Sequence, residues 1–152
     1  MTVALPVLFL RLWVKGRRVA GYRQHWRERL GYCGSTAGNV IWLHAVSVGE
    51  AQVAGLLIEA LNQHYPDKQL VVTTTTPTGR QLLEQSYANR VEKICYLPFD
   101  LPGPVKRFLE AVRPEMAIIL EVELWPNLFS AVGARSLPLM LVSARLSDRS
   151  YR

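Results

Sequence analysis

Five short, mostly apolar runs recur along the chain, at 40–46, 70–75, 91–97, 116–122 and 139–142, the second of them β-branched. A strand with one wet face alternates apolar and polar residues. A strand that is apolar at every position has to be covered on both faces, as in parallel sheets flanked by helices. Helical stretches are predicted between the runs. One starts at Ser47-Val48-Gly49-Glu50 and reaches about His64. The next starts at the turn Pro77-Thr78-Gly79 and reaches about Ala88. A third follows the Pro98 to Pro104 punctuation and ends near Arg113-Pro114. Pro126 suits the first turn of another helix. Strand alternating with helix predicts an α/β fold, a Rossmann-like, doubly wound parallel sheet.

The composition allows one such domain. The chain has 152 residues, 49% of them hydrophobic and 20% charged, which is enough for one core and unlike a disordered segment. Cys33 and Cys95 cannot form a disulfide framework or a complete zinc site, and are expected to pack as small core residues. No apolar run approaches the roughly 20 residues needed to span a bilayer. His25, His44 and His64 lack metal-ligand spacing, so they are expected to be structural, and neither a metal nor a cofactor is expected. No G-x-G-x-x-G follows the first strand, and neither a P-loop nor a G-x-S-x-G elbow is present.

Charge divides the chain in two. Residues 1–30 carry seven basic side chains against one acid, Glu28, and so hold the whole net charge of +6. The remainder is balanced. A basic leader, 1–35, is therefore expected to precede a neutral domain, 36–152. Trp13, Tyr22, Trp26 and Tyr32 are interleaved with the leader's arginines. Tryptophan and tyrosine favour the headgroup zone, and arginine favours anionic headgroups. The expected partner is an anionic membrane surface, met by Arg11, Trp13, Arg17, Arg18, Arg23 and Trp26, rather than nucleic acid. The plainer alternative is a solvated helix packed on its own domain through Trp13 and Trp26.

Ligands of such sheets bind beyond the carboxyl ends of the strands. Polar residues gather at these ends: Ser47, Gly49 and Glu50; Thr75, Thr76, Thr78 and Gly79; Asp100; Glu121 and Glu123; Ser143 and Arg145. Ser47-Val48-Gly49-Glu50 also fits an S-x-x-E capping box, with Glu50 at the third helical position. Thr76, Thr78 and Gly79 stand where a helix start offers donors to an anion. Glu121 and Glu123 share one face of a strand. Two such carboxylates in one cleft would repel and raise one pKa. Otherwise they are helix-start acids before Trp125-Pro126.

Five segments occur in a telling order: His44-Ala45-Val46-Ser47-Val48-Gly49-Glu50, Thr73-Thr74-Thr75-Thr76-Pro77-Thr78-Gly79, Tyr96-Leu97-Pro98-Phe99-Asp100, Glu121-Val122-Glu123-Leu124-Trp125-Pro126-Asn127 and Ser143-Ala144-Arg145-Leu146-Ser147. With Arg11-Leu12-Trp13 and Tyr22-Arg23-Gln24-His25-Trp26-Arg27-Glu28-Arg29, they resemble the amino-terminal half of the 3-deoxy-D-manno-octulosonic acid (Kdo) transferases of lipid A biosynthesis.

The resemblance implies the acceptor domain of a GT-B glycosyltransferase, with the donor domain expected to be missing from this chain. It implies inverting transfer of Kdo from CMP-Kdo to a hydroxyl of a lipid A precursor, at the cytoplasmic face of the bacterial inner membrane. The chain alone is then expected not to catalyse. The resemblance casts Glu50 as the base, with Glu121 or Glu123 as a second functional acid. Gly49 would allow close approach of the acceptor, and Ser47, Thr76, Thr78, Gly79 and Arg145 would contact substrate. Arg145 would pair with the donor's carboxylate or with a strand-end glutamate. Two other readings remain: a peripheral module that binds lipid without chemistry, and another GT-B sugar-nucleotide enzyme.

Overall fold

The computed structural model describes residues 4–120 and 125–142. The strands are β1 (Val40–Ala45), β2 (Gln69–Thr74), β3 (Lys93–Tyr96), β4 (Pro114–Leu120) and β5 (Leu139–Val142). They form one parallel sheet in the order β3-β2-β1-β4-β5. The chain winds outward from β1 through β2 to β3, then returns to β1's other side for β4 and β5. The direction reverses between β1 and β4, the place where a doubly wound sheet opens a crevice.

Cover on both faces explains the apolar run of β1, whereas Leu139, Met140 and Leu141 of the edge strand β5 are exposed, against the expectation for an apolar run. Ile41, Leu43 and Ala45 of β1 face Ala51, Ala54 and Ile58 of α3 (Val48–His64) and Leu83 of α4 (Pro77–Tyr87). The alternate residues Val40 and Trp42 face Val105, Phe108 and Leu109 of α5 (Pro102–Val112) and Leu128 and Val132 of α6 (Pro126–Gly133). Cys33 and Cys95 are both buried, in the second of these layers.

Element boundaries moved by one or two residues, for local reasons. Helix α5 stops at Val112 because Arg113 turns left-handed, with φ 44°, and Pro114 opens β4 instead of closing the helix. Proline is tolerated at the first position of a strand, where its missing N–H breaks the ladder least. Strand β3 is shorter than the expected 91–97 because it lies at the sheet edge and pairs only with β2, from Lys93 to Tyr96. The last two positions of the run at 116–122 lie outside the described residues.

The leader folds back onto the sheet. Helix α1 (Ala4–Lys15), a 3-10 turn and the short α2 (Trp26–Arg29) run along the carboxyl ends of β2 and β3. Phe9 stacks on Trp26 with ring centroids 5.0 Å apart and meets Phe99 edge-on at 5.6 Å. Trp26 donates its indole N–H to the Tyr22 carbonyl at 3.0 Å, and Leu12 is buried. Trp13 stays exposed, flanked by the guanidinium groups of Arg17 and Arg23. No described helix is long and apolar enough to cross a membrane.

Candidate functional site

The turns after β1 and β2 are tied together at one carbonyl. Val46 O accepts the hydroxyls of Thr74 at 3.1 Å and Thr75 at 3.0 Å, and the Thr75 N–H at 3.3 Å. Thr76 caps α4, its hydroxyl accepting the Gly79 N–H at 3.1 Å. A side chain at position 79 would meet the hydroxyls of Thr74 at 2.8 Å and Thr76 at 2.9 Å, and the Ser47 carbonyl carbon at 3.4 Å. This explains the glycine, because two turns and a row of hydroxyls converge there. Four sequence-predicted residues, Ser47, Thr76, Gly79 and Glu50, are thus brought onto adjoining turns of one sheet edge. Gly49 and Thr78 sit on the same turns and are exposed.

The Glu50 carboxylate accepts the backbone N–H of Ser47 through Oε2, the return half of a capping box. Its Oε1 has no partner among the described residues, and the side chain is half-buried. Gly49 has only Ser47 Oγ, at 4.0 Å, near the place a Cβ would take, so the space above this turn is open. Glu121, Glu123 and Arg145 lie outside the described residues.

Behind this edge is a fully buried polar pair. His44 Nδ1 lies 2.8 Å from the Thr73 hydroxyl and 3.1 Å from the Thr73 carbonyl. Trp42 donates its indole N–H to the same hydroxyl at 2.8 Å. Burial pushes the His44 pKa down to about 4, outweighing the bond to Thr73, so the ring is neutral near pH 7. Its ring stands edge-on to Trp125, with centroids 6.5 Å apart. Among the described residues, no three His, Cys, Asp or Glu side chains cluster as metal ligands would.

His25, Glu28 and Arg29 of the leader, none of them in the expected membrane set, pack against the carboxyl edge of the sheet. Glu28, the leader's one acid, binds Arg80 at 2.5 Å and the Tyr96 N–H at 2.8 Å through Oε2, and lies 3.2 Å from His25 through Oε1. Arg80 also bonds Glu84 at 2.7 Å. Burial opposes the Arg80 charge, but the hydrogen bonds and attraction of Glu28 and Glu84 outweigh it and hold its pKa above the usual value. The Arg29 guanidinium lies over the Tyr96 ring, 4.0 Å from its centroid, and donates to the Thr75 carbonyl at 3.1 Å. A lone acid inside a basic run was the available clue, because a carboxylate among so many cations is expected to be used by one of them.

Between α1 and the ends of β2 and β3 lies a cavity of about 420 Å³. Arg11, Lys15 and Arg29 supply its charge, and Leu8, Leu12 and Leu97 part of its apolar wall. Thr76 and Trp125 border it, whereas Glu50 does not. Asp100 also lines it, but both carboxylate oxygens are taken by the start of α6. Oδ1 accepts the Leu128 N–H at 2.8 Å, and Oδ2 the Asn127 N–H at 3.1 Å.

Comparison with known proteins bears on what this edge serves. A family model described as 3-Deoxy-D-manno-octulosonic-acid transferase (kdotransferase) matches residues 24–152. A Haemophilus influenzae 3-deoxy-D-manno-octulosonic acid transferase is 40% identical over 132 residues, covering 85% of this chain and 31% of the relative. The Bordetella pertussis protein of the same name is 35% identical over 156 residues, covering 97% of this chain and 36% of the relative. A third so named, from Rickettsia felis, is 37% identical over 121 residues, 78% of this chain and 25% of the relative. The chain therefore spans about a third of the length of its first two relatives. With its Rossmann-like sheet and a family match that covers most of its length, the chain belongs to the 3-deoxy-D-manno-octulosonic acid transferase family.

Proposed function

We propose that this chain is the acceptor half of an inverting glycosyltransferase that moves Kdo from CMP-Kdo to a hydroxyl of a lipid A precursor. The work is done at the cytoplasmic face of the bacterial inner membrane. The observation that carries the reading is Glu50. Its carboxylate stands beyond β1 next to the reversal in strand order, with one oxygen fixed by Ser47 N–H and the other unengaged among the described residues. A fixed carboxylate with one oxygen open is suited to receive a proton from a bound hydroxyl.

In that reaction the acceptor oxygen bonds to the anomeric carbon of Kdo. The bond from that carbon to the phosphate oxygen breaks, its electron pair leaving with CMP, and Glu50 takes the hydroxyl proton. The open space over Gly49 is where the acceptor comes close to the backbone. The resemblance gives Glu121 or Glu123 the supporting acid role, and Arg145 pairs with the donor's carboxylate or with a strand-end glutamate. A donor half completes the cleft, so the 152-residue chain by itself is expected to give no product.

The test is a chimera in which this chain replaces the matching residues of the Haemophilus influenzae relative, assayed with CMP-Kdo and the tetraacyl lipid A precursor. Glu50→Gln keeps a residue suited to the third position of a capping box. It is expected to leave the melting temperature nearly unchanged and to lower transfer about 10²–10⁴-fold. Near-normal turnover by Glu50→Gln would leave Glu50 as a helix cap alone.

A further inference from the structure

We propose that Cys33 and Cys95 form a reversible oxidation site, where a peroxide joins the two thiols in a disulfide and staples the end of the leader to the edge strand β3. The inference is independent of Glu50 and of Kdo chemistry.

Cys33 lies near the end of the leader and Cys95 in β3, and the fold seats both in one core layer. Neither thiol has a task in the reaction above. Backbone turns bring Cys33 there. Gly31 and Gly34 take φ of 90° and 79°, in the left-handed region that glycine favours, so the chain bends on both sides of Cys33. The second bend is held against β3, because Lys93 Nζ donates to the Ser35 carbonyl at 3.2 Å. A Cβ on Gly34 would lie 3.0 Å from the same ammonium. Lys93 and Cys95 are two apart on a strand and share one face. The bend that sets Gly34 beside Lys93 thus sets Cys33 toward Cys95.

The two thiols are unequal. Hydrogen bonding to Cys95, helped by the charge of Lys93, lowers the Cys33 pKa in spite of burial. The same bond and deeper burial raise Cys95 well above the ordinary thiol value. Cys33 is 8% exposed and Cys95 1%. A neighbouring lysine and residual exposure mark the sulfur that a peroxide meets first. The Cys33 thiolate attacks one peroxide oxygen, the O–O bond breaks, and hydroxide leaves behind a sulfenic acid. The Cys95 sulfur then attacks Cys33 Sγ, the S–O bond breaks, and the departing hydroxide takes the Cys95 proton. Two thiols and one hydrogen peroxide give one disulfide and two waters, the thiols being oxidised and the peroxide reduced. The link closes a loop that contains β1, α3, β2 and α4, and an added dithiol reopens it by exchange.

The test is mass spectrometry of the 152-residue chain after hydrogen peroxide at neutral pH. The expected product has lost two hydrogens, yields tryptic fragments joined through Cys33 and Cys95, and reverts with dithiothreitol. The oxidised chain is expected to melt about 5 °C or more above the reduced one, since the link restricts the unfolded chain. Cys95→Ala is expected to leave a Cys33 sulfenic acid that dimedone traps. Cys95 in Cys33→Ala is expected to oxidise about tenfold or more slowly than that thiol. Sulfinic acid on Cys33 without a link, or a link between two copies, would overturn the pairing. An oxidised chain that melts below the reduced one would overturn the staple, because the link would then strain the layer it joins. These refuting results come from the wild-type chain and do not depend on a variant's folding.

Discussion

Replacing Glu28 by Gln removes the carboxylate that holds the leader to the sheet, and the surroundings of that group set the cost. Its side chain is 16% exposed and that of Arg80 is 11% exposed, so water cannot replace either charge. Removing one member of a buried pair typically costs about 3–5 kcal/mol, mostly from the charge left behind. Arg80 is not left wholly alone, because Glu84 still bonds its Nε at 2.7 Å. Glutamine also keeps a carbonyl oxygen for the Tyr96 N–H. The expected loss is therefore lower, about 2 kcal/mol, in the range of a hydrogen bond to a charged group. Glu84 is 47% exposed, so Glu84→Gln is expected to cost about 0–1 kcal/mol. The double variant E28Q/R80M removes the stranded charge, and its cost is expected to fall short of the sum of the single variants by about 1–3 kcal/mol. Urea unfolding at pH 7, followed by tryptophan fluorescence, measures the wild type, Glu28→Gln, Glu84→Gln, Arg80→Met and the double variant. A Glu28→Gln loss no larger than that of Glu84→Gln, or additive single costs, would refute a clamp built on the buried pair.

Other outcomes follow from single contacts. The His44 pKa is lowered from 6.5 to about 4 by burial, so between these values the unfolded chain binds more protons than the folded one. Stability is expected to be full above pH 6.5 and to fall as pH drops toward 4, by up to roughly 3 kcal/mol, and His44→Gln should flatten that slope in urea titrations. Gly79→Ala forces a Cβ to within 2.8 Å of the Thr74 hydroxyl, and a loss of about 1–3 kcal/mol is expected by thermal melting. Gly49→Ala meets open space and is expected to keep or raise stability while lowering transfer in the chimera, where the acceptor needs that room. Binding to anionic vesicles is expected to weaken with salt and to vanish on neutral ones, each of Arg17, Arg18 and Arg23 contributing about 1 kcal/mol; equal binding to both vesicle types at high salt would remove the electrostatic docking of the leader.

The layers of this protein were legible in its residues because each depends on short-range pattern. An apolar run such as Ile41 to Leu43 reports a strand covered on both sides whatever its neighbours are, and Pro77 and Pro126 mark helix starts through their own backbone restriction. The S-x-x-E spacing that placed Glu50 at a helix start is equally local, and the carboxylate does reach back to Ser47 N–H. The same spacing could not choose between cap and base, since both uses put the carboxylate in the same place.

Strand order and the cavity had to wait for tertiary structure. Nothing in β1 alone distinguishes β2 from β4 as its neighbour, and it pairs with both because the chain crosses back over itself. The leader's arginines are alike in sequence, a basic run with aromatic spacing that fits a wet membrane face. Folding sorts them: Arg17 and Arg18 stay in water, while Arg29 is buried against Tyr96. That sorting depends on α1 folding back so that Phe9 reaches Trp26 and Phe99, and on Glu28 finding Arg80, 52 residues away. Contacts of such sequence separation are chosen by the summed burial of a whole interface, which no local window of residues contains.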